Sequence, residues 1–113
     1  MLKDALDVIE AWGFTYKTVA FCWVKQNRRG EGLFMGLGNW TRSNAEVCLL
    51  AIKGKPKRIN ATVRSIVVAP VENHSKKPEE IRTRIVELMG DLPRIELFAR
   101  QTAPGWDAWG NEI

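Results

Sequence analysis

The stretch Phe14–Val24, FTYKTVAFCWV, constrains the fold more than any other part of the chain. It is dense in aromatic and β-branched residues, with alternation at Tyr16, Thr18 and Ala20, and so reads as a strand. A strand cannot stand alone, because its backbone N–H and C=O groups need partners. The remaining sequence must therefore supply a sheet. Directly before it, LKDALDVIEAW puts Leu2, Leu6 and Ile9 on one helical face, joined by Ala5 and Trp12, and Gly13 offers a stop. A helix that runs straight into a strand resembles a βαβ crossover without its first strand.

Downstream, Asn44–Gly54 reads as a second strand, buried on both faces in its middle, and Arg64–Pro70 as a short third one. Lys53–Arg58, KGKPKR, makes a basic turn between them. Pro78 at a first helical position, Glu79 and Glu80 in the first turn and the spacing Ile81, Ile85, Leu88 predict a helix over Pro78–Met89, ended by Gly90. Arg82, Arg84 and Glu87 read as its solvated face. Arg94–Ala99 is a fourth strand, and Leu92–Ile113 closes the chain with an irregular, tryptophan-bearing tail. The order helix, strand, strand, short strand, helix, strand, tail indicates a mixed α/β class. A length of 113 residues fits a single domain covering 1–113.

The segment Lys25–Ser43 has no regular period. It holds Gly30, Gly32, Gly36 and Gly38 together with Lys25, Arg28, Arg29 and Arg42. A loop of that length is usually functional or disordered, and mobility is expected of it. Gly32, Gly36 and Gly38 lack the spacing and the strand–turn–helix context of a dinucleotide fingerprint. A basic loop with an aromatic residue suits a nucleic acid instead: Arg28, Arg29 and Arg42 for phosphates, Trp40 for an unstacked base. The formal net charge of +4 points the same way.

Other classes are poorly supported. His74 is the one histidine, and Cys22 and Cys48 lack a close-spaced motif, so no metal site is expected. No paired nucleophile and base stands out. The cysteines lie within apolar runs and read as buried free thiols of a reducing, cytoplasmic compartment. No apolar run approaches a membrane span, so no membrane is expected as a partner. Asp4, Asp7 and Glu10 argue against a signal peptide. Arg100 follows a strand end, where open α/β sheets bind ligands.

Three blocks carry a resemblance: GNWTRSNAEVCLLAIKGKPKR, then HSKKPEEIRTRIVELMGDLPRIELFAR, then GWDAWGNE. In this order they closely resemble the C-terminal half of the N(6)-adenine methyltransferases. That family includes phage and bacterial DNA enzymes and the catalytic subunit of the eukaryotic messenger-RNA adenosine methyltransferase. The resemblance covers nearly the whole chain. It implies part of a Rossmann-like methyltransferase domain, a mixed sheet flanked by two helices, with S-adenosylmethionine as cofactor. It also implies a nucleic-acid partner, DNA ahead of RNA.

The family's catalytic Asp-Pro-Pro-Trp motif is absent; Asp-Pro-Pro occurs nowhere. The resemblance starts after the strand that bears it, so no residue here is assigned a catalytic role and no activity is expected of this chain alone. Lys77, in Lys77-Pro78-Glu79-Glu80, matches the lysine of the family's Lys-Pro-Asp-Glu segment, near the cofactor's carboxylate. Glu96 and Arg100 match the family's Ile-Glu-Leu-Phe-Gly-Arg strand and its exit, with Ala99 in place of glycine. Asn111 and Glu112 match a Gly-Asn-Glu close facing the adenosine, whereas Thr102 and Ala103 stand where some members carry His-Asn. Trp40, Arg42, Asn44 and Glu46 match the loop and strand that face the target nucleotide. On this reading the tail is a cofactor-side rim, anchored by burial of Trp106 and Trp109; otherwise it merely covers an apolar edge. The rival functions are a non-catalytic nucleic-acid-binding module and a strand-pairing protein, which forms a homodimer or joins a partner chain carrying the missing strands.

Overall fold

The computed structural model describes residues 1–36, 40–72 and 76–113. Helix α1 (Leu2–Ala11) leads into β1 (Thr15–Gln26), followed by β2 (Ala45–Ile52), β3 (Ile66–Pro70), α2 (Glu79–Met89), β4 (Ile95–Leu97) and β5 (Asp107–Trp109). The class is mixed α/β, as the element order indicates. Strands β2, β1 and β3 form one sheet in that order, with β1 central, antiparallel to β2 and parallel to β3. Strands β4 and β5 form a separate parallel pair.

Gly13 stops α1 as expected. Its φ of 79° lies in the left-handed region, and the N–H groups of Gly13 and Phe14 bond to the carbonyls of Glu10 and Ile9. That is the Schellman pattern, which satisfies carbonyls the helix end would leave free. The apolar face of α1 is not buried in this chain, however. Leu2, Leu6, Val8 and Trp12 are all exposed, and only Ile9 is half-buried.

The core is small and lies between the sheet and α2. Phe21 and Trp23, two residues apart on β1, share a face, and Trp23 pairs in register with Val67 of β3. These three side chains are buried, with Ile81 and Ile85 of α2 packed against them. Positions i and i+4 share one side of a helix, so the predicted apolar stripe is the one that covers the sheet. Trp23 Nε1–H donates to the carbonyl of Ala69 at 2.9 Å, so its polar edge is satisfied inside the core.

Several expectations change. Register shifts between Tyr16 and Thr18 and between Val19 and Phe21 interrupt β1. Each extra residue flips the following side chains to the other face, so simple alternation does not hold through Ala20. Strand β2 is not buried on both faces: it is an edge strand, with Val47 and Cys48 exposed. Cys48 is therefore not a buried thiol, and Cys22 is only half-buried, on the face turned away from Phe21 and Trp23; both are free. Nor do Arg82 and Arg84 form a solvated face. Arg84 Nη1 donates to the carbonyls of Arg64 and Ile66 at 2.8 and 2.6 Å, tying α2 to the entry of β3.

The tail is more ordered than its sequence suggests. Strand β5 lies within it, and the N–H of Ala99 donates to the carbonyl of Trp109 at 2.9 Å. Gly110 has a physical reason here, since a Cβ would lie 2.4 Å from the carbonyl oxygen of Ala99. Trp106 is half-buried beneath the Arg94 guanidinium, 5.6 Å from its ring. Trp109 is exposed and meets Phe98 edge-on at 5.3 Å. Burial anchors neither tryptophan fully. Among the described residues no helix is long and apolar enough to cross a membrane.

Because the core is so small, its residues should dominate stability. Phe21→Ala is expected to cost about 3–5 kcal/mol and to erase cooperative unfolding in urea. Val68→Ala, on the open face, should move the transition by less than about 0.5 kcal/mol. Similar effects from the two would contradict this placement of the core.

Candidate functional site

A cleft of about 900 Å³ opens between the start of α2 and the end of β4. Lys77, Pro78, Ile81 and Arg82 line one side; Glu96, Leu97 and Phe98 line the other, and Arg100, Trp106 and Glu112 of the tail close it. Four of the five residues assigned by resemblance to the cofactor thus share one cavity: Lys77, Glu96, Arg100 and Glu112. Asn111 is exposed and is not part of its lining.

Glu96 is not a free carboxylate. Arg82 donates from Nε and Nη2 to the same oxygen, Oε1, at 2.9 and 2.5 Å, and from Nη1 to Glu79 at 2.6 Å. Burial opposes the charge on Arg82, but its bonds to Glu96 and Glu79 outweigh that and raise its pKa further. The bonds from Arg82 leave Glu96 Oε2 unclaimed. Arg100 and Glu112 approach at 3.5 Å, both about half exposed. Exposed pairs of this kind contribute little to stability, so either partner can turn to a ligand at small cost.

Beside the cleft stands a second cluster. Glu46 of β2 bonds through Oε1 to Lys77 and through Oε2 to Lys25 of β1, the latter at 3.2 Å. Both ammonium groups also lie over the Trp23 ring, at 5.2 Å for Lys25 and 6.0 Å for Lys77. Lys77 thus joins the two sets that the sequence kept apart, touching Glu46 while lining the cleft. Sequence reasoning missed Lys25, Trp23 and Arg82. Their roles depend on strand register and helix docking, which no local motif encodes.

The other target-facing residues are more dispersed. The carbonyl of Asn44 accepts from the N–H of Lys25 at 2.9 Å, which fixes the start of β2 against β1. Arg28 and Arg29 are exposed in a tight turn. Asn27 Oδ1 holds that turn by accepting from the N–H groups of Arg29 and Glu31, and a Gln26–Leu33 bridge closes it. The irregular loop is therefore shorter than Lys25–Ser43. Trp40 is fully exposed with a φ of 70°, and Arg42 is exposed. Gly38 and His74 lie outside the described residues. No group of three or more potential metal ligands occurs among the described residues.

Burial pushes the Glu46 carboxyl up, but Lys77 and Lys25 outweigh it and hold it below the ordinary glutamate value. A carboxyl lowered by folding stabilises the fold above its unfolded pKa, and that contribution is lost as pH falls through the folded value. Glu46→Gln should therefore lower the urea midpoint at neutral pH. The gap from wild type should close as pH drops below the glutamate range. A gap that is absent at neutral pH, or unchanged in acid, would show that the bridge carries no such linkage.

Comparison with known proteins adds an independent line. The MT-A70 family profile matches residues 1–112. The chain is 40% identical over 106 residues to the type II methyltransferase M.MunI from Mycoplasma sp, covering 92% of this chain and 42% of that protein. It is 33% identical over 111 residues to an N(6)-adenosine-methyltransferase MT-A70-like protein of Arabidopsis thaliana, covering 95% of this chain and 16% of that one. The human N(6)-adenosine-methyltransferase catalytic subunit METTL3 is 32% identical over 111 residues, 95% of this chain and 19% of its own length. The chain thus spans less than half the length of these relatives. With its profile covering almost every residue, and with the three sequence blocks in family order, the chain belongs to the MT-A70 family.

Proposed function

We propose that this chain is the cofactor-rim and target-facing part of an adenine N(6) nucleic-acid methyltransferase of Rossmann-like fold, and that it does not transfer methyl groups by itself. The observation that carries the reading is the convergence of Lys77, Glu96, Arg100 and Glu112 on one cleft beside the Glu46 cluster. The donor set fits S-adenosylmethionine. Cations at Lys77 and Arg100 suit its carboxylate, Glu96 and Glu112 suit hydroxyl or ammonium donors, and Phe98 and Trp106 offer apolar area. When bound, that cofactor supplies an electrophilic methyl group on a sulfonium.

The protein's own contribution is positioning. Arg82 fixes the Glu96 carboxylate, and Lys25 fixes Glu46, so neither acid reorganises when a ligand arrives. Glu46 and Asn44 would face the target base, with Arg28, Arg29 and Arg42 on its phosphates and Trp40 against an unstacked neighbour. DNA is the preferred substrate on this reading, ahead of RNA.

The missing chemistry is that of the Asp-Pro-Pro-Trp strand, absent from this sequence. Among the described residues β3 and β4 each have a single strand neighbour, and α2 connects them. A strand from another polypeptide, a partner chain or a second copy, would join the two sheets there. The edge positions of β3 and β4 support this, since unpaired edge N–H and C=O groups are a template for strand pairing.

Two outcomes are expected. The purified chain should incorporate no labelled methyl from S-adenosylmethionine into adenine of mixed DNA and RNA; clear, stoichiometric incorporation would refute the proposal. Calorimetry should give only weak cofactor binding, lowered roughly ten- to a hundredfold by Arg100→Ala, from the loss of a charge-assisted bond of about 1.5–3 kcal/mol. Sub-micromolar binding unmoved by that substitution would show that the site lies elsewhere.

A further inference from the structure

We propose that the basic loop Lys53–Arg58 is a second nucleic-acid contact, which grips the phosphate backbone roughly 20 Å away from the target-facing cluster. The inference rests on the nucleic-acid reading above and extends it to the opposite end of the sheet.

Position is the first argument. Thr15 pairs with Ile52, so the loop after β2 emerges at the beginning of β1, whereas Lys25 and Glu46 lie at its other end. Glu46 and Ile52 lie six residues apart on the 8-residue strand β2. At about 3.3 Å per residue, the loop and the target-facing cluster are separated by roughly 20 Å, so one duplex can touch both.

Charge is the second. Lys53, Lys55, Lys57 and Arg58 fall within six positions, and all four are exposed. None of them takes part in an ion pair among the described residues. By contrast Lys25, Lys77, Arg82, Arg84 and Arg94 are all committed to carboxylates. The loop therefore offers uncompensated cations whose natural partners are phosphates, and each phosphate neutralised releases counterions.

Order is the third. The loop is tethered at both ends. Lys53 Nζ donates to the carbonyl of Trp12 at 3.4 Å and lies 5.6 Å from the Phe14 ring. The N–H of Ile59 donates to the carbonyl of Leu88 in the last turn of α2 at 2.7 Å. A loop held at both ends loses less entropy on binding than a free basic tail. Trp12, 59% exposed, stands beside it as an aromatic surface.

The test measures binding of a duplex DNA of about 24 base pairs by fluorescence anisotropy across a salt series. Three proteins are used: the wild-type chain, a Lys55→Gln/Lys57→Gln/Arg58→Gln variant, and an Arg28→Gln/Arg29→Gln variant. Lys53 is left in place because it braces α1. The triple variant should bind at least about tenfold more weakly, with a salt slope shallower by roughly 2–3. The Arg28/Arg29 variant should also weaken binding, with a slope shallower by roughly 2. An unchanged affinity and slope in the triple variant would overturn the second contact and leave the nucleic-acid reading standing. A wild type that does not bind the duplex would overturn both.

Discussion

The packing of Phe21 and Trp23 against Val67, under Ile81 and Ile85, is the contact on which the rest of the structure depends. It fixes α2 over the sheet, and α2 in turn carries Lys77, Pro78 and Arg82 at its N-terminal end into the cleft. Trp23 serves twice. Its ring is buried in the core, and its outer region lies beneath the ammonium groups of Lys25 and Lys77. Apolar burial thus positions the ionic cluster, because an aromatic residue held in the core offers a rigid face to cations.

Two ion-pair systems then define the chemistry that the cleft presents. Arg82 neutralises Glu96 at one wall, and Lys25 with Lys77 neutralises Glu46 beside the cleft. Half-buried charges are costly unless paired and hydrogen-bonded. Both acids meet that condition with partners from different elements, so each pair also links those elements. Lys77 is the one group shared by the cleft and the target-facing cluster. A ligand that recruits Lys77 from Glu46 would therefore be felt on β2 as well.

The extent of exposed apolar surface is the other physical feature of the chain. Among the described residues only Phe21, Trp23, Val67 and Ala99 are buried hydrophobics, while the apolar face of α1 and the residues Val47, Ile66 and Val68 remain exposed. Apolar surface on this scale commonly marks interaction with another polypeptide. This is compatible with relatives more than twice the length of this chain.

Local pattern alone determined the elements. The aromatic β-branched run made β1, the Ile81–Ile85 spacing with Pro78 and two glutamates made α2, and Gly13 ended α1 through its left-handed φ. The quoted blocks also carried the family, and with it four of the residues that the cleft gathers. Tertiary structure decided which of these residues touch. Strand β5 was illegible because three residues acquire strand geometry only by pairing with β4. Cys48 and Val47 came out exposed because edge position, not apolar sequence, governs burial of β2. Arg82 read as a surface residue because its partner, Glu96, lies 14 positions away on another element. Periodicity reports what a segment does with its own neighbours, whereas an ion pair or a strand register is settled only when distant segments pack.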